Sequence, residues 1–169
     1  LKGREFEDYV LSLFNLQDND ELILQEWQGD KSYGKVKAEN NSNPDFVFRY
    51  RQNEFAVECK WREKLSRDLS KDLFPIKRIE NYKHFSEVRH MPVTIILGVG
   101  GEPCNPELLY KIPLNDIVPI ISGNLLLANY LLPASSFDVS MFLRQEENTK
   151  ERAYTLSEKR EKCTKDVQN

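Results

Sequence analysis

At 169 residues, with 40% hydrophobic and 30% charged residues, the chain reads as one globular domain with a proper core and is too short to expect two. No run approaches the roughly 18 apolar residues of a membrane helix, no charged-then-apolar start suggests a signal peptide, and the three cysteines, Cys59, Cys104 and Cys163, lack the spacing of a disulfide framework or a zinc site. A reducing, cytoplasmic setting is the plain expectation, the opening on Leu1 rather than Met leaves room for an excised domain, and the net charge of -3 does not advertise a nucleic-acid binder.

The clearest helix is Arg4 to Phe14, where Phe6, Tyr9, Val10, Leu13 and Phe14 fall on one apolar stripe at helical spacing. Glu5 and Glu7 flank that stripe on opposite sides, so either could reach over the edge of a sheet, whereas Asp8 points away. For Glu5 the ordinary reading, an acid favoured in the first turn by the helix dipole, is the better one. Leu22 to Trp27 is a strand candidate. The polar stretch from Gln28 to Asn43 reads as a connecting loop, with Lys31, Tyr33, Lys35 and Lys37 available to touch a substrate.

The stretch Asn43 to Trp61, N-P-D-F-V-F-R-Y-R-Q-N-E-F-A-V-E-C-K-W, organises the rest. Two runs rich in Phe, Val and Tyr flank the polar break Arg51-Gln52-Asn53-Glu54, the signal of a β-hairpin with a turn of about four residues. Strand alternation puts Phe55, Val57, Cys59 and Trp61 on a core face and Ala56, Glu58, Lys60 and Arg62 on the other. Asp45 opens the neighbouring strand, where pairing can bring it near Glu58. Two carboxylates and the Cys59 backbone carbonyl make a hard oxygen site of the kind magnesium accepts. Lys60 adds a positive charge beside an attacking water or a developing phosphorane, and the reaction implied is phosphodiester hydrolysis. Taken alone, an E-x-K pair on a strand is an ordinary couple of solvated charges; the combination carries more.

That combination resembles the PD-(D/E)xK nuclease superfamily, with Pro44-Asp45 standing where the superfamily has its P-D and Glu58-Cys59-Lys60 as its E-x-K. Many members, among them Mrr-like restriction enzymes and archaeal-type Holliday-junction resolvases, also carry a glutamate on the first helix. The opening Lys2-Gly3-Arg4-Glu5-Phe6-Glu7 looks like that element, and the family-like order selects Glu7. The resemblance runs from about Gly3 to Gly101. It implies an α/β, restriction-endonuclease-like three-layer core in the order α-β-β-β-α-β, with a mixed central sheet and C-terminal additions. It further implies a DNA endonuclease dependent on Mg2+ or Mn2+, with Asp45, Glu58 and the Cys59 carbonyl on the metal, Lys60 as stabilising cation and Glu7 in support. DNA is the partner implied, and a homodimer is allowed.

Past Trp61 the chain is charged and poorly periodic until Pro75, a good first-turn residue for a helix. Ile76, Ile79, Tyr82, Phe85 and Val88 then repeat at near-helical spacing to about Arg89. The resembled superfamily often has Gln or Tyr near the site on this helix, and Asn81 and Tyr82 stand at about that place, though Tyr82 lies on the apolar stripe and reads as core. His84 and His90 read as surface residues. From Lys60 to His90 nine Lys or Arg stand against five acids, a local basic excess that begins at the proposed site and fits either a phosphate-facing surface or a merely solvated helix.

Val93 to Val99 is the most hydrophobic strand and is expected at the centre of the sheet. The glycines at 98, 100 and 101 do not make a nucleotide loop, because Pro103 and Pro106 occupy the place of the helix such a loop needs. Leu108 to Ile112 is a further strand, Leu114 to Ile121 a short helix or turn, and Leu125 to Leu132 an apolar segment packed on the core. From Arg144 onward seven basic and six acidic residues are mixed among few apolar ones, so residues 144–169 are expected to form a charged helix or tail apart from a nuclease domain of residues 1–143. The rival to catalysis is a silent domain of the same fold that binds nucleic acid or serves as an interaction module.

Overall fold

A computed structural model of the chain describes residues 1–28 and 43–143. The substrate-touching loop with Lys31, Tyr33, Lys35 and Lys37, and the charged segment 144–169, lie outside the described residues.

The elements are α1 (Lys2–Phe14), β1 (Leu22–Trp27), β2 (Phe46–Tyr50), β3 (Asn53–Arg62), α2 (Leu69–Asp72), α3 (Ile76–Arg89), β4 (Val93–Val99), β5 (Leu108–Pro113) and α4 (Ile117–Ile121). The strands lie in the order β1-β2-β3-β4-β5. All neighbours are antiparallel except β3 and β4, whose parallel pairing requires the crossover that α3 provides. The protein is therefore an α/β domain with a mixed sheet, and its elements follow the expected α-β-β-β-α-β order apart from the single turn of α2.

Helices cover both faces of the sheet. On one, Phe6, Val10 and Phe14 of α1 pack against Phe46, Phe48, Phe55, Val57 and Ile96; on the other, Ile79, Tyr82 and Phe85 of α3 pack against Val47, Ala56, Ile95 and Leu97. This sandwiching explains why β4 is buried at all seven positions, as strands covered on both sides read as continuous apolar runs. Gly98 of β4 has a packing duty. A Cβ there would lie 2.5 Å from Cε2 of Phe6, so the missing side chain lets α1 settle directly on the sheet.

Three local expectations need correction. The hairpin turn is only Arg51-Gln52, with Tyr50 paired to Asn53 and Arg51 in the left-handed region at φ 56°; Asn53 and Glu54 belong to β3. The apolar stripe of α3 is shorter than its period suggested, since Ile76 and Val88 are 70% and 60% exposed. A strict three-residue step drifts by about 60° per repeat on a helix of 3.6 residues per turn, which turns both ends of the series away from the core. Finally, α2 was not anticipated. It is held by Asp68, which accepts from the Ser70 N–H, and by the buried Asp72, which accepts from both the N–H and the hydroxyl of Ser66 at 2.6 Å.

C-terminal to β5, α4 buries Ile117 and Ile120. In the apolar segment beyond it, Leu132 is buried and Leu125, Leu127 and Tyr130 pack against the core. Leu126 and Leu131 of the same segment face solvent.

Candidate functional site

The site forms where β2 stops short of its partner. β2 begins at Phe46, opposite Val57, whereas β3 continues along β4 as far as Arg62. Pro44-Asp45, just before β2, therefore lies beside strand backbone that has no strand neighbour on that side among the described residues. Asp45 fills the gap. Its Oδ2 accepts from the Cys59 N–H at 2.8 Å, and its own N–H donates to Glu58 Oε2 at 3.1 Å. The N–H and C=O of one strand residue point to the same side, so the Cys59 carbonyl also faces Asp45 and stands off the β4 ladder. Each carboxylate thus engages one oxygen with the main chain.

The electrostatics follow from burial. Glu58 is only 5% exposed, and desolvation, then the Asp45 charge, pushes its carboxyl well above the usual range, while Tyr82 and Arg78 pull it down. Asp45 is pushed up to about 6 by burial and then by Glu7; the Cys59 N–H, Glu58 and Arg78 act in the opposite direction. Two carboxyls coupled in this way titrate as a pair and favour holding a proton, or a cation in its place. Burial, then Asp45, Glu58 and Glu7, pushes the Cys59 thiol well up, so the thiol stays protonated and only the carbonyl of that residue suits a hard cation.

Lys60 is half-buried, with Nζ 4.8 Å from the centre of the Phe74 ring. Its pKa is lowered first by desolvation and then by Arg62 and Arg78, against the pull of Glu58 and Asp45. Glu7 accepts from Trp27 Nε1 at 3.0 Å. That indole is itself fixed by the Arg4 guanidinium, 4.1 Å from its centre. Glu5 is exposed.

A cleft of about 470 Å³ brings together Glu7, Asp45, Glu58, Cys59, Lys60 and Arg78, with Lys2 and Arg62 at its margin. Among the described residues no three His, Cys, Asp or Glu side chains gather as a metal-holding group; Glu7 lines the cleft beside the carboxylate pair. Two carboxylates and a carbonyl still suit magnesium, which keeps several waters and takes few protein oxygens.

Lys60 is joined in the cleft by a second cation that the sequence pattern did not place there. Arg78, in the first turn of α3, acts on Asp45, Glu58, Lys60 and Tyr82 alike. The signal was available, because Arg78 lies four residues before Tyr82 and shares its helix face. Tyr82 is core, fully buried, and also belongs to the site: burial, then Glu58, pushes its hydroxyl well up. Although it faces Glu58, that hydroxyl meets no hydrogen-bond geometry with any described residue. Asn81 instead lines a separate groove with His84, Phe85 and Val88. Trp27, which positions Glu7, gave no sequence signal.

The described cysteines, Cys59 and Cys104, are free, and among the described residues no helix is long and apolar enough to cross a membrane. No family model matches the chain, and no curated protein is significantly similar to it. Among solved structures it is similar to a Holliday junction resolvase of the archaeal hyperthermophile Archaeoglobus fulgidus, at 13% identity and a TM-score of 0.44, over 66% of this chain and 76% of that one. At that level of similarity nothing about its substrate passes to this chain.

Proposed function

We propose that this domain is a divalent-metal-dependent nuclease that hydrolyses phosphodiester bonds of DNA. The observation that carries the reading is the pair of main-chain ties, Asp45 N–H to Glu58 and Cys59 N–H to Asp45, which fixes both carboxylates in the cleft that also holds Lys60. Asp45, Glu58 and the Cys59 carbonyl would hold the ion. When bound, magnesium or manganese supplies Lewis-acid polarisation of the phosphate and a lowered pKa for an attacking water.

In the reaction a water oxygen bonds to phosphorus and the bond to one ester oxygen breaks, leaving a terminal phosphate and a terminal hydroxyl; one water proton ends on the departing oxygen. Lys60 lies beside the carboxylates with a depressed pKa, so it can orient the water and offset charge that develops on the phosphorane. Glu7, fixed by Trp27, raises the pKa of Asp45 by its charge and so favours a cation beside it. Tyr82 stands beside Glu58 and pulls its carboxyl down against the effect of burial.

The test is cleavage of linear duplex, single-stranded and four-way-junction DNA by the purified protein with magnesium or manganese. Cleavage of at least one substrate, lost on chelation and lost in Asp45→Ala, is the expected result. A protein that binds DNA and cuts none of them is the silent nucleic-acid-binding module instead.

A further inference from the structure

We infer that Arg78 grips a non-bridging oxygen of the substrate phosphate in the cleft, a role that rests on the nuclease reading. The residue lies in the first turn of the 14-residue helix α3 and lines the cleft with Asp45, Glu58 and Lys60. Its charge acts on both carboxylates. Among the described residues, however, its guanidinium makes neither an ion pair nor a hydrogen bond, in contrast to Arg4, Arg51 and Arg89, which pair with acids. A half-buried arginine beside two carboxylates, with its fork of donors unused, is prepared for an anion that arrives from outside.

The helix start points the same way. The first turn of α3 carries Lys77 and Arg78, no acid and no side-chain cap, so two cations stand at the positive end of the helix dipole, where an anion would be favoured. Local stability gains nothing from that arrangement. A phosphate entering the cleft would be drawn by the dipole and by Arg78 together. The backbone under Arg78 is rigid, because its N–H donates to the Pro75 carbonyl at 2.9 Å and its neighbours Phe74 and Ile79 are each 1% exposed. Lys60 and Arg78 then divide the work: the ammonium serves as a point charge near the water, and the planar fork suits two phosphate oxygens at once.

The experiment compares the wild type with Arg78→Ala and Arg78→Lys in three measurements: manganese binding, duplex binding in calcium across a salt series, and cleavage kinetics in magnesium. In Arg78→Ala manganese binding should be unchanged, and the slope of log affinity against log salt should fall by about 0.9, the value of one lost phosphate contact. The ratio kcat/KM should fall about 100-fold, as for one preorganised donor. Arg78→Lys should restore the salt slope but only part of the rate. An unchanged slope and rate in Arg78→Ala, with a wild type that cuts DNA, would overturn this inference and leave the nuclease reading intact. Loss of manganese binding or of the fold in Arg78→Ala would show a structural counter-ion and overturn it too. A wild type that neither binds nor cuts DNA overturns both.

Discussion

The backbone N–H of Asp45 donates to Glu58 Oε2 at 3.1 Å, so two carboxylates that repel by charge are held to one another through the main chain. Because Glu58 is buried and its ionised form disfavoured, the two properties of this residue can be separated by substitution. Asp45→Ala and Glu58→Ala should both abolish divalent-dependent cleavage. Glu58→Gln should also be inactive, yet should melt higher than the wild type in chelator at pH 7.5, since it removes the cost of burying a charge. A lower melting temperature for Glu58→Gln would show that the buried carboxylate stabilises the fold.

The pH dependence has a definite sign. Asp45, pushed up to about 6, and Glu58, pushed well above its usual range, both have folded-state values above their unfolded ones. Their contribution to stability is thus fully present below about pH 4 and is lost as the pH rises through about 6 and beyond. In chelator the wild type should lose several degrees more between pH 5 and pH 8 than an Asp45→Asn, Glu58→Gln double variant, given that about 1 kcal/mol moves the midpoint of a chain this size by about 2–4 °C. Magnesium should raise the wild-type midpoint more at pH 8 than at pH 5, because the cation must displace the proton. Parallel pH profiles for the two proteins would assign the titration to other groups.

Lys60→Ala should leave metal binding nearly intact and slow single-turnover cleavage by about 100-fold, the worth of about 3 kcal/mol of preorganised charge stabilisation. The Phe74 contact at 4.8 Å predicts a smaller defect for Lys60→Arg than for Lys60→Ala. A lysine variant that cut at the wild-type rate would remove Lys60 from the chemistry.

Trp27→Phe deletes the 3.0 Å hydrogen bond to Glu7 while keeping the aromatic packing. Cleavage should weaken while the melting temperature changes little. Gly98→Ala acts from the opposite direction: its Cβ would stand 2.5 Å from Phe6 Cε2, so α1 must shift. The expected destabilisation is about 1–3 kcal/mol, typical of overpacking, and Glu7 moves with the helix. A Gly98→Ala protein of wild-type stability would mean that Phe6 can swing aside without disturbing α1.

Much of this was legible because it was periodic. The stripe of α1, the alternation in β3 and the unbroken apolar run of β4 each state which face is buried, and Pro44-Asp45 marks the start of β2 beside Glu58-Cys59-Lys60 in the second half of β3. What escaped was held together by distant partners. The turn of α2 depends on buried Asp72 meeting Ser66, a contact that no local propensity encodes. Arg78 was counted in a basic stretch rather than placed on the face it shares with Tyr82. Trp27 meets Glu7 across 20 residues, a meeting that only the packing of α1 on the sheet makes visible.

The uneven lengths of β2 and β3 have a consequence for handling the protein. Among the described residues no strand pairs with β3 beyond Val57 on its β2 side, and an unpaired rim invites a strand from another molecule. Asp45 occupies the Cys59 N–H, and Arg62 Nη1 donates to the Trp61 carbonyl at 3.0 Å, so two side chains stand guard over a stretch that no described strand covers. Asp45→Ala therefore removes a gatekeeper along with a ligand. Light scattering should find that variant more prone to self-association than Glu58→Ala, which leaves the Asp45 contact to Cys59 in place, and its lost activity should be scored on the monomer fraction alone.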